Sequence, residues 1–398
     1  MVTRPLRRAV MVCTIGCLLA GCAHREAPPQ AAEDWYRKAN LFASFDTAAA
    51  DLSLPNAYLL ELACYIGDRG TFEVDRTLQT WGFDRRRDFR DIRTSTYGYV
   101  ASNDRMVLVT FGGTDFMNVR DLLSDVDALQ LVRDDRYGAT PEARVHRGFR
   151  DSLNSVIDGV IDEVRQQAAA TPVSARGPAR RAATGTTRPA TRATTRPATR
   201  PTTRSSTRPA AGGAGRGVAA RQKKLFIAGH SRGGAFAVLA AAALARLQDD
   251  GLPEIGAVYT FGQPRVGNGP FIDGVESLGV PLFRFIHRDD PIPAVPPAGL
   301  LPQRLGAAER LNDRLGYAHG GVAVHLRADG RVVRTAADGP GSDVLSDPRA
   351  ATAGIGNHYQ DGYHRAIYQA LANPQLVEEP AWRATVTPER VAVLPRAG

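Results

Sequence analysis

Cysteine is scarce in this chain of 398 residues, which contains only four. Three of them, Cys13, Cys17 and Cys22, lie close to the N-terminus, and Cys64 is the fourth. Loss of the first three to an export segment and lipid attachment would leave one thiol and therefore no intramolecular disulfide. With Cys64 as the one remaining thiol, no cysteine pair would be left to form a zinc site. The sequence predicts no metal, and nothing in it indicates a cofactor.

Acidic residues are absent from one long segment. Residues 171–224 contain thirteen Lys and Arg but no Asp or Glu, and the formal net charge of +9 depends on them because the rest of the chain is net negative. A nucleic-acid-binding domain carries its basic residues on a folded surface. We therefore expect no nucleic acid partner.

The same segment also lacks aromatic residues and an apolar stripe. Residues 186–209 are three octapeptides, TTRPATRA, TTRPATRP and TTRSSTRP. Such a composition cannot bury enough apolar surface to offset the entropy of ordering, so we predict a disordered insert over residues 171–222. Two interpretations stay open, namely attraction to anionic envelope lipids or polysaccharide and a tolerated low-complexity expansion. The insert joins the N-terminal end of the strand that follows it, whereas active sites of open parallel sheets lie at the carboxyl ends of the strands. We therefore predict that the insert is not a lid.

No apolar run in the N-terminal segment is long enough to be a confident membrane span. Arg4, Arg7 and Arg8 precede AVMVCTIGCLLAG, and the segment closes on LAGC with Cys22. This pattern resembles a bacterial lipobox, which implies a signal peptide over 1–21, an acylated Cys22 and a tether over 22–34. The protein would then be lipid-anchored in the bacterial cell envelope, at the outer membrane. An ordinary signal peptide or an uncleaved anchor is the alternative.

Helix and strand patterns alternate over most of the remaining chain. LPNAYLLELACYIG has helical apolar spacing, and KLFIAG is a short apolar strand. We predict one α/β domain in two parts, residues 35–170 and 223–373, with a mostly parallel central sheet flanked by helices. Residues 374–398 are predicted to be a loosely ordered C-terminal tail.

One serine stands among glycines where the apolar strand meets a strong helix former. Gly229-His230-Ser231-Arg232-Gly233 fits G-x-S-x-G. A strand that turns directly into a helix strains the residue at the bend, and glycines two positions away let the backbone pass. The bend exposes the serine oxygen at a helix N-terminus, where negative charge is stabilised. The pattern predicts that Ser231 is a nucleophile.

A nucleophilic serine needs a histidine base and a carboxylate that orients it, in the chain order Ser, acid, His in this type of fold. The stretch VPLFRFIHRDDPIPAVPP supplies a strand that leads to Asp289 and Asp290, and we prefer Asp290 because Pro291 fixes its loop. The histidines that follow are His319, His325, His358 and His364. His358 is preferred because it lies on a loop before a helix, and His319 is its competitor.

Four motifs together resemble the class 3 lipases, the α/β-hydrolases that include fungal triacylglycerol lipases. They are YGYVASNDRMVLVTFGGTD, FIAGHSRGGAFAVLA, YTFGQPRVGN and HRDDPIPAVPP. The resemblance covers about residues 54–168 and 224–372. It implies an α/β-hydrolase fold with Ser231 as nucleophile, Asp290 as acid and His358 as base.

The resemblance also implies an oxyanion hole formed by the backbone N–H groups of Arg232 and Thr114, and a lid over residues 115–129. A plain surface helix is the alternative for that lid. Three positions depart from the family pattern. Gly112 replaces an arginine, which we expect to loosen the local scaffold, and Asn357 replaces an aspartate. Arg232 replaces a leucine, and its cation either favours anionic substrates or points away from the site.

These features predict a serine hydrolase that cleaves fatty acyl esters through an acyl-enzyme. Its partners would be an acyl ester lipid substrate and the membrane that holds its anchor. Lipase, phospholipase and esterase specificities stay open. A serine peptidase with the same triad and a catalytically silent envelope lipoprotein that uses the fold for binding or adhesion are the alternatives.

Overall fold

The computed structural model of the protein describes residues 36–67, 71–112, 130–170, 222–247, 251–296, 298, 316–335 and 354–395. Within these ranges, helices long and apolar enough to cross a membrane do not occur. The predicted signal peptide, Cys22, the tether, the proposed lid and all of the predicted insert except residue 222 lie outside them.

Eight of the described strands form one sheet, in the order β1-β2-β3-β6-β7-β9-β11-β12. Its five middle strands, from β3 to β11, run parallel, while β1, β2 and β12 pair antiparallel at the edges. A small antiparallel sheet of the described residues has the order β10-β8-β5-β4. The strands are β1 (Arg85–Asp91), β2 (Thr96–Ser102), β3 (Met106–Phe111), β4 (Leu131–Val132), β5 (Val145–His146), β6 (Lys224–His230), β7 (Ile255–Phe261), β8 (Gly267–Asn268), β9 (Leu282–His287), β10 (Tyr317–Ala318), β11 (Val322–Leu326) and β12 (Val332–Thr335).

Helices cover both faces of the large sheet. They are α1 (Leu54–Gly67), α2 (Thr71–Trp81), α3 (Arg147–Asn154), α4 (Ile157–Ala169), α5 (Arg232–Arg246), α6 (Gly269–Glu276), α7 (Gln360–Ala372), α8 (Pro380–Arg383) and α9 (Pro388–Ala392). The apolar residues of α1 and α7 belong to one buried cluster, and those of α3, α4 and α5 belong to a second. The sheet separates the two clusters, as the alternation of β3 shows: Met106 and Leu108 join the first, Val107 and Val109 the second.

The helix predicted over Leu54–Gly67 and the strand predicted before Ser231 are present as α1 and β6. Strand β6 is followed directly by α5, whose run of alanines is buried against the sheet. A mostly parallel sheet with helices on both faces and a sharp turn between a central strand and its helix is the α/β-hydrolase arrangement. The fold class predicted from the sequence is therefore confirmed.

The prediction of a loosely ordered tail from residue 374 was wrong for residues 374–395. Trp382 and Val377 are fully buried and belong to the first apolar cluster. The hydroxyl of Tyr58 on α1 donates a 2.9 Å hydrogen bond to the carbonyl of Pro395. The segment has short helices and irregularly spaced apolar residues, so its packing depends on contacts with α1 that no local pattern reveals.

Candidate active site

Ser231 lies at the sharp turn between β6 and α5. Its φ of 55° and ψ of −128° are rarely adopted by a residue that has a side chain. A Cβ on Gly229 would lie 2.1 Å from the carbonyl oxygen of Gly233, and a Cβ on Gly233 would lie 2.4 Å from that of Phe111. The two glycines of G-x-S-x-G are therefore required where backbones cross on either side of the serine.

Three side chains from distant parts of the chain meet at this turn. Ser231 Oγ lies 2.8 Å from His358 Nε2, and His358 Nδ1 lies 2.8 Å from Asp290 Oδ2. With Asp290 ionised, Nδ1 carries the hydrogen and donates to the carboxylate, so Nε2 accepts from the serine hydroxyl. All three side chains are buried. This arrangement suits transfer of the serine proton to the imidazole.

The carboxyl group of Asp290 is held by three hydrogen bonds. Oδ2 accepts from His358 Nδ1 and, at 2.6 Å, from the hydroxyl of Tyr363, while Oδ1 accepts from the backbone N–H of Ile292 at 2.9 Å. Burial alone raises the pKa of the Asp290 carboxyl, but the charge of His358 and these hydrogen bonds hold it below its usual value. The carboxylate therefore stays ionised and fixed in orientation at neutral pH.

The competing acid and bases lie elsewhere. Asp289 is exposed. His319 Nε2 bonds to the carbonyl of Pro293 at 2.6 Å, and burial, with the charges of two arginines, lowers its pKa well below the usual value. His325 Nε2 bonds to the carbonyl of Arg288 at 2.9 Å, and burial lowers the pKa of His364 to about 3. The structure thus brings Asp290 and His358, the preferred residues, to Ser231.

Gly262, the first residue of the GQPRVGN block, lies directly behind the triad. It has a φ of 60°, and a Cβ there would lie 2.9 Å from both Asp290 Oδ2 and His358 Nδ1. The same block is tied to the loop of the acid, because Arg265 donates to the carbonyl of Pro296 at 3.0 Å. The GQPRVGN block therefore contacts both the triad and the loop that carries the acid.

Replacing Gly262 with alanine is expected to lower kcat by about 100-fold, because the new methyl group pushes Asp290 and His358 apart. Gly279→Ala is the matched control, since Gly279 has a φ of 68° but a Cβ there would meet nothing within 4 Å. Both variants should lose about 1 kcal/mol of stability through backbone strain. Steady-state kinetics and chemical denaturation measure the two effects, and an equal kcat in both variants would contradict the contact.

The side chain of Arg232 points away from Ser231. Its guanidinium donates to the backbone carbonyls of Thr94, at 3.1 Å, and Ser95 in the β1–β2 turn, and it lies 5.2 Å from the centre of the Phe236 ring. Only 4 % of the residue is exposed, and burial lowers the pKa of the guanidinium to about 10. The structure therefore favours the interpretation that the Arg232 cation points away from the site and bonds to the β1–β2 turn, and not the interpretation that it contacts the substrate.

Replacing Arg232 with methionine is expected to destabilise the protein by about 1–3 kcal/mol, because two partly buried carbonyls lose a charged donor. The ratio of kcat/KM for an anionic ester to that for a neutral ester should stay unchanged. Denaturation curves and paired kinetics test this, with the exposed Arg93→Met as control. A selective loss of activity on the anionic ester would show that the cation faces the substrate.

The structure describes one of the two predicted oxyanion donors. Arg232 begins α5 immediately after Ser231, whereas Thr114 lies outside the described residues. At Gly112 a Cβ would lie 2.1 Å from the Tyr97 ring, and its N–H donates to the carbonyl of Tyr97 at 3.0 Å. The expectation of a looser scaffold there was wrong, because Tyr97 fills the space that a side chain at position 112 would need.

Sequence reasoning missed two residues that contact the site. No sequence pattern assigned a role to Tyr363, yet its hydroxyl bonds to Asp290. Glu61 on α1 is fully buried and bonds to His230, the residue before Ser231. The signal for Glu61 was a single carboxylate within the apolar run LLELAC. Among the described residues, a cluster of three or more His, Cys, Asp or Glu able to hold a metal does not occur.

Comparison with known protein families gives a match for part of the chain. Residues 216–300, which include Ser231 and Asp290, match the family described as Lipase (class 3). The resemblance predicted from the motifs is confirmed over these residues.

Individual relatives match over parts of their length. The lipase of Rhizopus niveus is 26% identical over 211 residues, which are 52% of this chain and 40% of the relative. The secreted mono- and diacylglycerol lipase 1 of Fusarium solani is 45% identical over 74 residues, 19% of this chain and 21% of the relative. The chain therefore spans less than half the length of these relatives. The solved structure of lipase II from Rhizopus niveus is 20% identical with a TM-score of 0.49, covering 76% of this chain and 91% of that one.

Proposed function

We propose that the protein is a serine hydrolase of the class 3 lipase type that cleaves carboxylic acid esters through an acyl-enzyme. The observation that carries this proposal is the continuous hydrogen-bonded chain from Ser231 Oγ through His358 to Asp290 at a strained strand-to-helix turn. The family match over residues 216–300 supports it independently.

The reaction follows from the positions of the hydrogens. His358 Nε2 takes the hydroxyl proton as Ser231 Oγ attacks the ester carbonyl, and the imidazolium that forms is stabilised by Asp290. His358 then gives this proton to the leaving alkoxide, which departs as an alcohol and leaves an acyl group on Oγ. A water molecule then gives a proton to His358 Nε2 and attacks the acyl carbonyl. His358 returns that proton to Ser231 Oγ as the carbon–oxygen bond breaks, which releases the carboxylic acid and restores the serine hydroxyl.

The tetrahedral intermediates carry a negative charge on the former carbonyl oxygen. We assign its stabilisation to the backbone N–H of Arg232, at the N-terminus of α5, and to that of Thr114. One donor of this kind contributes roughly 3–4 kcal/mol to the rate. The buried guanidinium of Arg232 takes no part, since it donates to backbone carbonyls of the β1–β2 turn.

For the substrate we propose fatty acyl esters of glycerol, on the basis of the relatives named as lipases. The test is hydrolysis of an emulsified triacylglycerol, a diacylglycerol, a phosphatidylcholine vesicle and p-nitrophenyl esters of increasing chain length. Wild-type protein should release fatty acid from the acylglycerols, and Ser231→Ala should not. Preference for the vesicle would change the class to phospholipase, and folded protein that hydrolyses none of them would favour a binding module.

We further propose that Cys22 carries lipid and holds the domain in the bacterial cell envelope. The support is the arginine-rich start, the apolar run and LAGC. Cys22→Ser should move the protein from the membrane fraction to the soluble fraction and abolish incorporation of radiolabelled palmitate. An unchanged distribution would contradict lipid anchoring.

A further inference from the structure

A second acid–histidine pair is buried beside the triad. Glu61 on α1 is fully buried, and its Oε1 lies 2.9 Å from Nδ1 of His230. In the described part of the chain Oε2 meets no donor, so the side chain has one hydrogen-bond partner, His230. A buried carboxyl group is costly unless it is paired. We therefore connect the burial of Glu61 with its hydrogen bond to His230.

The second ring nitrogen of His230 contacts the backbone of His358, the residue that supplies the base. His230 Nε2 lies 2.9 Å from the backbone carbonyl oxygen of His358, and the two rings are 5.1 Å apart. A carbonyl only accepts hydrogen bonds, so Nε2 carries a hydrogen. The Nδ1 nitrogen and Glu61 then share one further proton, on whichever side it resides. The pair is neutral overall in both cases.

This bond joins the chain neighbour of the nucleophile to the residue that bears the base. His358 ends a short 3₁₀ helix, Ile355–His358. His287 Nδ1 bonds to the carbonyl of Asn357 at 2.9 Å, so two histidines hold two consecutive carbonyls. Of these two, only His230 belongs to the strand that carries Ser231.

We propose that Glu61 is a positioning residue for the ester hydrolysis: it fixes the ring of His230 so that Nε2–H holds the backbone of His358 against Ser231. The inference rests on the proposed function for its kinetic consequence but not for its structural one. A displacement of about 1 Å between base and nucleophile costs about 100-fold in rate. The pair therefore acts on kcat rather than on substrate binding.

His364 and Tyr363, two titratable groups near the pair, do not change charge near neutral pH. Burial lowers the pKa of His364 to about 3, and burial together with Asp290 raises the pKa of Tyr363 well above its usual value. Burial also raises the pKa of Glu61, while the charge of His230 opposes this. We therefore expect a change in the charge of the Glu61–His230 pair to appear as a shift of the acid limb of the pH–rate profile.

Two substitutions of Glu61 test the proposal. Glu61→Gln keeps a donor for His230 Nδ1 and the hydrogen on Nε2, so kcat should stay within about 3-fold of wild type. Glu61→Leu removes the partner and should lower kcat by about 10- to 100-fold with KM within about twofold. The acid limb of the profile should not move in Glu61→Gln, since the replaced pair was neutral.

Leu60→Ala is the matched control, because Leu60 is fully buried on the same helix and has no group that bonds to His230. It should lower the melting temperature but leave kcat unchanged. The proposal is overturned if Glu61→Leu loses no more kcat than Leu60→Ala, if Glu61→Gln is impaired as strongly as Glu61→Leu, or if the acid limb shifts in Glu61→Gln.

A measurement without turnover separates this inference from the proposed function. In full-length Ser231→Ala protein, ¹⁵N NMR of the His230 ring should show a protonated Nε2 whose hydrogen exchanges slowly with water. This exchange should stay slow in Glu61→Gln and become fast in Glu61→Leu, where the ring is no longer fixed. An unprotonated Nε2 beside intact Glu61 would overturn the inference. If the NMR result holds while wild-type protein shows no Ser231-dependent hydrolysis, the proposed function fails and the positioning pair stands.

Discussion

Ser231→Ala is expected to lower kcat by about 10⁵- to 10⁶-fold, the scale found when a serine nucleophile is removed from a triad. Alanine keeps the Cβ and therefore the strained backbone at φ 55°, so the turn should persist. What disappears is the oxygen that lies 2.8 Å from His358 Nε2. Hydrolysis of a p-nitrophenyl ester by purified protein, with circular dichroism to confirm folding, measures the loss.

The control for this substitution is Ser155→Ala. The Ser155 hydroxyl donates to the carbonyl of Ser152 at 2.7 Å, at the end of α3, and should be dispensable for turnover. Folded Ser231→Ala protein that keeps more than about 1% of wild-type kcat would contradict the role assigned to Ser231.

Asp290→Asn is expected to lower kcat by about 10⁴-fold while the fold is retained. Every oxygen of the Asp290 carboxyl group accepts a hydrogen bond, Oδ2 from His358 and Tyr363 and Oδ1 from Ile292. An amide group must therefore place NH₂ against a donor. If NH₂ faces Nδ1, His358 adopts the tautomer with hydrogen on Nε2 and can no longer accept the proton of Ser231.

The neighbouring residue supplies the control for this prediction. Asp289 is exposed, so Asp289→Asn should leave kcat near the wild-type value. Steady-state kinetics across pH, with melting temperatures for both variants, provide the comparison. A greater loss from Asp289→Asn, or a loss under about tenfold from Asp290→Asn, would show that Asp290 does not orient the base.

Local sequence signals were sufficient to predict candidate site residues at the ends of strands and helices. Ser231 could be predicted as the residue at the turn because a strand, a glycine-flanked turn and a helix follow one another without interruption, and backbone sterics restrict which residues can occupy that position. Asp290 and His358, which the structure brings to Ser231, could be predicted because chain order and loop position limit the candidates. These signals are local features of the sequence, although the contacts span 68 positions between Asp290 and His358 and 127 between Ser231 and His358.

Long-range packing explains what could not be predicted. Glu61 and His230 are 169 positions apart, and their contact depends on how α1 crosses the sheet. The direction of the Arg232 side chain depends on the β1–β2 turn, which is 137 positions away. Trp382 is buried by tertiary contacts although its segment has no periodic pattern. A long-range contact made by one residue produces no periodic pattern in the sequence, so pattern analysis does not detect it.

The most direct test of the account is the site of covalent modification by a fluorophosphonate. Peptide mapping of the labelled protein should find one phosphonyl group per chain, on Ser231. Labelling should slow strongly in Asp290→Asn, because the base no longer activates the nucleophile. An adduct on another residue, or folded wild-type protein that takes up no label, would contradict the claim that Ser231, His358 and Asp290 work as a nucleophile, a base and an acid.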